Sequence, residues 1–154
     1  MQDITPIEPE NCLALPGLLV SSRKRLFQIA SETLAEVRGG LSADYIYHQL
    51  LKREKLGSTA LGHGVAIPHC RVNGCPEAIG CIATLEEPVE FTIPDNQSID
   101  IVFFLVVPQE ATQAHLQLLA TLGALFSSSK KRAQIREARD SETLRGIILA
   151  NIPQ

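Results

Sequence analysis

Between Gly57 and Cys81 this 154-residue chain gathers two of its four histidines, three of its four cysteines and five of its ten glycines. Those residue types admit four chemistries, which the spacing separates. A phosphate-cradling loop is the first, because Gly57-Ser58-Thr59-Ala60-Leu61-Gly62-His63-Gly64 is rich in glycine. A P-loop needs Lys and then Ser or Thr where His63 and Gly64 stand, and a dinucleotide fingerprint needs a third glycine where Ile67 stands, so nucleotide binding is excluded. Zinc is the second. No Cys-x-x-Cys or His-x-x-x-His pair joins His63, His69, Cys70, Cys75 and Cys81, and Cys81 falls in an apolar run. Buried or incidental thiols are the better reading of Cys81, as of Cys12. A Cys-His nucleophile is the third, but His69 and Cys70 are sequence neighbours whose side chains diverge where the backbone is extended after Pro68.

The fourth is His69 itself as a nucleophile. An imidazole of ordinary pKa, about 6.5, keeps one ring nitrogen free near neutral pH. Phosphoryl transfer to that nitrogen depends on positioning and on spreading charge, best assisted by a guanidinium fork or a helix N-terminus. Arg53, near the end of an expected helix, and His115, in the first turn of another, are the candidate assistants. A loop histidine hydrogen-bonded to backbone is the commoner circumstance, so on type and spacing alone that reading of His69 stays open. It applies with more force to His48 and His63.

The surrounding pattern predicts the elements that must hold these groups. Leu18-Leu19-Val20 reads as a short strand, and Ser21 or Ser22 caps a helix whose apolar face is Leu26, Ile29, Ala30, Leu34 and Val37, stopped by Gly39-Gly40. Ser42 opens a second helix with Ile46, Leu50 and Leu51 inside, ending in a cationic run that suits the negative helix pole. From Ser58 to Gly74 an irregular loop surrounds a short Val65-Ala66-Ile67 strand. Ala78 to Leu85 and Ile99 to Val107 read as strands buried on both faces, with a half-exposed strand at Val89-Glu90-Phe91-Thr92 between them. Helices are expected at Thr112 to Phe126, Lys130 to Ala138 after cap Ser129, and Ser141 to Ala150 after Asp140. Helices alternating with buried strands give a single α/β sandwich on a mixed sheet.

Composition narrows the function classes. Fourteen Lys and Arg against 17 Asp and Glu give a net charge of -3, and 45% of the residues are hydrophobic. One domain of this length buries roughly 70% of its extended-chain surface and needs no disulfide. Nucleic-acid binding needs a concentrated basic face; the one basic run, Lys130-Lys131-Arg132, reads as a solvated helix surface. The longest apolar run, Ile101 to Val107, is too short to span a bilayer, and the start of the chain does not read as a signal peptide. The expectation is a cytoplasmic protein with reduced thiols and no membrane insertion.

The run from Arg53 to His69, Arg-Glu-Lys-Leu-Gly-Ser-Thr-Ala-Leu-Gly-His-Gly-Val-Ala-Ile-Pro-His, resembles the mannitol/fructose-type IIA components of the bacterial phosphotransferase system, and within them the nitrogen-regulatory branch. The likeness continues through Leu85-Glu86-Glu87-Pro88-Val89-Glu90-Phe91, Asp95-Asn96-Gln97 and Phe104-Leu105-Val106-Val107-Pro108 to His115-Leu116. It implies a lead-in over residues 1–12, a type-2 EIIA domain over 13–152, and a mixed, mainly parallel sheet with helices on both faces. It further implies that His69 accepts a phosphoryl group on Nε2 from an HPr-like phosphohistidine protein, that Arg53 and His115 contact that group, and that no metal, nucleotide or organic cofactor takes part. The resemblance also implies regulated partners such as potassium-transport machinery or sensor kinases. The alternatives are a sugar-type IIA that passes phosphate to a permease IIB domain, a pure binding module, and a metal-dependent hydrolase. The chain departs from the family at Cys70-Arg71, where glycine is frequent after the active histidine, at Gln117, where many members have a second histidine, and at His63. A tolerated small side chain is the plain reading of Cys70, and a redox switch is its alternative.

Overall fold

The computed structural model describes residues 7–37, 39–91, 98–110 and 113–152, with the side chains of 114 and 115 outside that description. The Thr92 end of the expected half-exposed strand and the Asp95-Asn96-Gln97 segment lie outside the described residues. Strand β1 (Cys12–Leu18) leads into α1 (Arg23–Val37) and α2 (Ala43–Leu56). Three short strands follow, β2 (Ala60–Gly62), β3 (Val65–Ala66) and β4 (His69–Val72), then the long pair β5 (Ile79–Glu90) and β6 (Ser98–Pro108). Helices α3 (Gln113–Ser127), α4 (Ser129–Glu137) and α5 (Ser141–Leu149) close the chain.

The sheet runs β1-β5-β6-β3-β2, with β4 also paired to β6. Three of the five pairings are parallel, while the longest, β5 with β6, is antiparallel. Strands β3 and β4 lie end to end along one side of β6: Val65 and Ala66 face Ile101 and Val102, and His69 to Val72 face Leu105 to Pro108.

Alternation on β6 builds two cores. Val102, Phe104 and Val106 pack with Leu26, Phe27 and Leu50 of α1 and α2, whereas Ile101, Phe103 and Leu105 pack with Leu118, Leu122 and Leu144 of α3 and α5. Adjacent phenylalanines therefore serve opposite layers. Phe104 meets Phe27 edge-on at 5.3 Å, and Phe103 lies 6.3 Å from Phe126. Gly80 on β5 leaves room for this: a Cβ there would sit 2.6 Å from Phe103 Cζ. Among the described residues no helix is long and apolar enough to cross a membrane.

Four expectations change. The first strand is Cys12–Leu18 rather than 18–20, because Cys12 to Leu15 pair with Gly80 to Ala83. Pro16 is tolerated there because β1 borders the sheet, where a missing N–H orphans no neighbour; Leu19 is left exposed. Val89 and Glu90 belong to β5, beyond a register irregularity, and are not a separate strand. Ser128 rather than Ser129 caps α4, its hydroxyl accepting from the Lys131 N–H at 3.2 Å. The basic run is not all solvated, since Arg132 is buried and its Nη1 donates to the Phe126 carbonyl at the end of α3 at 2.9 Å.

Candidate functional site

His69 is the first residue of β4, not a loop residue. The Leu105 N–H donates to the Pro68 carbonyl at 2.9 Å, which sets the strand in register and brings His69 opposite Leu105. The outer side of β4 faces α2, whose Gln49 Nε2 donates to the Arg71 carbonyl at 3.1 Å and so covers an edge-strand acceptor. Leu116 and Leu119 of α3 approach from the other layer. His69 thereby lines a groove of about 370 Å³ between α2 and α3, at the margin of the sheet.

The imidazole Nδ1 lies 2.8 Å from the Ile67 carbonyl oxygen. A carbonyl can only accept, so Nδ1 carries the proton and Nε2 keeps its lone pair. The two readings left open by the sequence are thus one arrangement: the backbone bond selects the tautomer in which Nε2 is the nucleophilic nitrogen. Burial is the largest influence on its basicity and lowers the pKa. The Ile67 bond opposes this, the Arg53 charge adds to it, the Glu54 charge opposes it, and the net result lies below the usual histidine value. His69 is neutral at pH 7.

Behind the imidazole runs a chain of hydrogen bonds. Buried Glu54, in the last turn of α2, accepts from the Thr59 hydroxyl at 2.7 Å and from its N–H at 3.3 Å. The Thr59 carbonyl accepts from the Ile67 N–H at 3.0 Å, and the Ile67 carbonyl holds His69. These bonds fix the position of the Ile67 backbone, and with it the carbonyl that holds Nδ1. Arg53, the preceding residue, is half-buried, lines the groove and donates Nη1 to the Gly57 carbonyl at 2.9 Å. A guanidinium has five N–H donors, so others can serve an anion. Lys52 and Arg71 also line the groove, and among the described residues no acidic side chain does.

Backbone geometry puts position 115 in the first turn of α3, but the His115 side chain lies outside the described residues. His48 is exposed and its Nδ1 bonds the Asp44 carbonyl one turn back on α2 at 2.8 Å. His63 sits at the turn between β2 and β3 with φ 57°, and its carbonyl accepts from Arg136 at 2.7 Å. That turn is beside Asp100, about five residues or ~16 Å along β6 from Leu105, so the structure does not bring His63 to His69. Cys70 is buried in the opposite layer and its thiol is pushed up to about 12 by burial. Burial also raises the thiols of Cys12, to about 11, and Cys81. Among the described residues no three His, Cys, Asp or Glu side chains gather to hold a metal ion.

Sequence reasoning nominated His69 and Arg53 but missed Glu54, Thr59, Lys52 and Arg71. Glu54 had one available signal: it stands between Arg53 and Lys55 at the negative end of a helix, where an acid is disfavoured unless something holds it.

The family model for the EIIA 2 component of the phosphoenolpyruvate-dependent sugar phosphotransferase system matches residues 9–151. A "Nitrogen regulatory protein" of Pseudomonas aeruginosa is 38% identical over 135 residues, covering 88% of this chain and 86% of that one. The 2-O-alpha-mannosyl-D-glycerate-specific EIIABC component of Escherichia coli is 31% identical over 146 residues, 94% of this chain but 22% of the larger protein. Among solved structures, the nitrogen regulatory protein IIA-Ntr of Neisseria meningitidis superposes with a TM-score of 0.80 at 39% identity, covering 94% of this chain and 96% of that one. Matched along nearly its whole length, the chain belongs to the EIIA type-2 family of the phosphotransferase system, in its nitrogen-regulatory group.

Proposed function

We propose that this protein is a phosphocarrier in which His69 Nε2 accepts and later releases a phosphoryl group. The observation that carries the reading is the Nδ1–H bond to the Ile67 carbonyl, which leaves Nε2 unprotonated in a groove lined by Arg53. In the forward step the Nε2 lone pair attacks phosphorus, a new N–P bond forms, and the N–P bond of the donor phosphohistidine breaks with its electron pair returning to the donor ring. The donor ring, protonated on its other nitrogen, leaves as a neutral imidazole; no proton need move at Nε2, and the Nδ1 proton stays on Nδ1, hydrogen-bonded to the Ile67 carbonyl. Arg53 offsets charge on the transferring oxygens, and family likeness gives His115 the same role. The donor is an HPr-like carrier of the nitrogen branch, and the reaction takes place in the cytoplasm.

Phosphorylation adds close to two negative charges beside the groove, enough to change which partner the surface accepts. Regulation of potassium-transport machinery or sensor kinases follows from this reading. A second reading, delivery of phosphate to a permease IIB domain, draws on the likeness to a fused EIIABC component. Intact-mass spectrometry at alkaline pH tests the proposal, after incubation with phosphoenolpyruvate, enzyme I and the HPr-like carrier. Wild type should gain one phosphoryl mass and His69→Ala none; phosphate on His69→Ala would overturn it.

A further inference from the structure

A second set of bonds grips the β2–β3 hairpin at the end of the sheet away from His69. Gly62, His63 and Gly64, which turn β2 into β3, all have positive φ, at 96°, 57° and 82°. Glycine takes that region freely, whereas a histidine adopts it at a cost and stays there only where its surroundings hold it. Arg136, in the last turn of α4, supplies the hold. Its Nη2 donates to the His63 carbonyl at 2.7 Å, and its Nε and Nη2 form a fork on the Asp100 carboxylate, both at 2.9 Å. Gly64 makes the seat, since a Cβ there would lie 2.8 Å from Arg136 Nη2 and 2.8 Å from Asp100 Oδ1. Simple surface ion pairs contribute little, but a bidentate pair that also grips backbone fixes a geometry.

That geometry leads to the reactive histidine by backbone alone. The Gly64 carbonyl accepts from the Asp100 and Ile101 N–H groups at 2.9 and 3.0 Å. Val65 and Ala66 then pair with Ile101 and Val102, and the carbonyl of the next residue, Ile67, holds His69 Nδ1. With only these two residues paired to β6, β3 takes its placement from the ends of the hairpin. Glu54 and Thr59 secure one end, and Arg136 the turn.

Resting on the phosphocarrier reading, we infer that Arg136 is a positioning residue for phosphoryl transfer. Through the His63 carbonyl it sets the β2–β3 hairpin, and so the Ile67 carbonyl that keeps the His69 proton on Nδ1. His63 contributes its backbone oxygen rather than its ring. Gly64 and His69 are separated by about 16 Å of extended chain, beyond the screening length of about 8 Å at physiological salt. An effect of Arg136 on the imidazole therefore travels through the hairpin and not through its charge.

The test is nitrogen NMR of the His69 imidazole in the unphosphorylated protein, at a pH where the ring is neutral. Wild type, Arg136→Met, Arg136→Lys and Arg139→Ala are compared, each shown to be folded by circular dichroism. Wild type should show the Nδ1–H form. In Arg136→Met part of the population should carry the proton on Nε2 instead. Its kcat for phosphorylation by the HPr-like carrier should fall roughly tenfold with KM unchanged, because small misplacements are felt strongly at a reacting atom. Arg136→Lys, which keeps the charge but not the fork, should lie between the two. Arg139→Ala removes another cation of the same cleft and should match wild type. A folded Arg136→Met whose imidazole keeps the wild-type tautomer overturns the assignment, whatever its thermal midpoint, and makes Arg136 a support of the fold alone. Arg136→Lys decides by the same reading where Arg136→Met does not fold. A wild type that takes no phosphate from an active carrier overturns the carrier reading and leaves the tautomer comparison standing.

Discussion

At the scale of single residues, His69 is prepared by what lies behind it. With a pKa below the ordinary value, the neutral imidazole persists on the acid side of 6.5. The phosphorylation rate should rise with pH to a plateau whose midpoint falls below that value, as measured by single-turnover mass spectrometry. The same shift has a folding consequence. As pH falls below the unfolded value the unfolded chain takes up the proton first, so stability held above that value is lost as pH falls through the lower, folded one. Glu54 raises the His69 pKa through its charge. Glu54→Gln keeps the shape but removes the charge, so the acid limb should move to still lower pH, visible in an NMR titration of the imidazole. A limb that stays in place would leave Glu54 a merely structural clamp on Thr59.

At the scale of elements, the packing of β5 against β6 is the tightest restraint on the site. A Cβ on Gly80 would meet Phe103 at 2.6 and 2.8 Å and Ile7 Cδ1 at 3.0 Å. Gly80 is also paired with Leu105, which is paired with His69. Gly80→Ala should cost roughly 1–3 kcal/mol of stability by overpacking, read as a lowered thermal midpoint. Both long strands and all five helices were legible in the sequence, because long segments repeat their periodicity often enough to be read. Of the three short strands only β3, expected at Val65-Ala66-Ile67, was legible. Ala60 to Gly62 and His69 to Val72 are too brief for a period, and pairing, of the first with β3 and of the second with β6, rather than local preference, makes them strands. Arg53 and His69 were visible because their types are chemically distinctive. Glu54 and Thr59 were hidden because their role comes from contacts through backbone, which no spacing rule encodes.

For the molecule as a whole, two cores clamp one sheet, and the thiols show how closed those cores are. Cys12, Cys70, Cys75 and Cys81 are all buried, and none forms a disulfide. Their thiolate forms are suppressed at Cys12, Cys70 and Cys81 by the same burial. Native protein should therefore react with Ellman's reagent no faster than it opens, and all four thiols should react at once in denaturant. A fast native phase lost in Cys70→Ser would instead show that the groove floor is loose enough to expose a thiol beside His69.

The short interruption between β3 and β4 also constrains how such a chain can vary in length. Ala66 and Cys70 pack in one layer, and Val65 and Ile67 in the other with Leu105, the partner of His69. Parity is thus carried across Ile67 and Pro68 unbroken. An insertion or deletion of one residue there would turn the imidazole toward the opposite layer, whereas a change of two would keep its facing. Chain length at this point can therefore change only in pairs if the imidazole is to keep its layer.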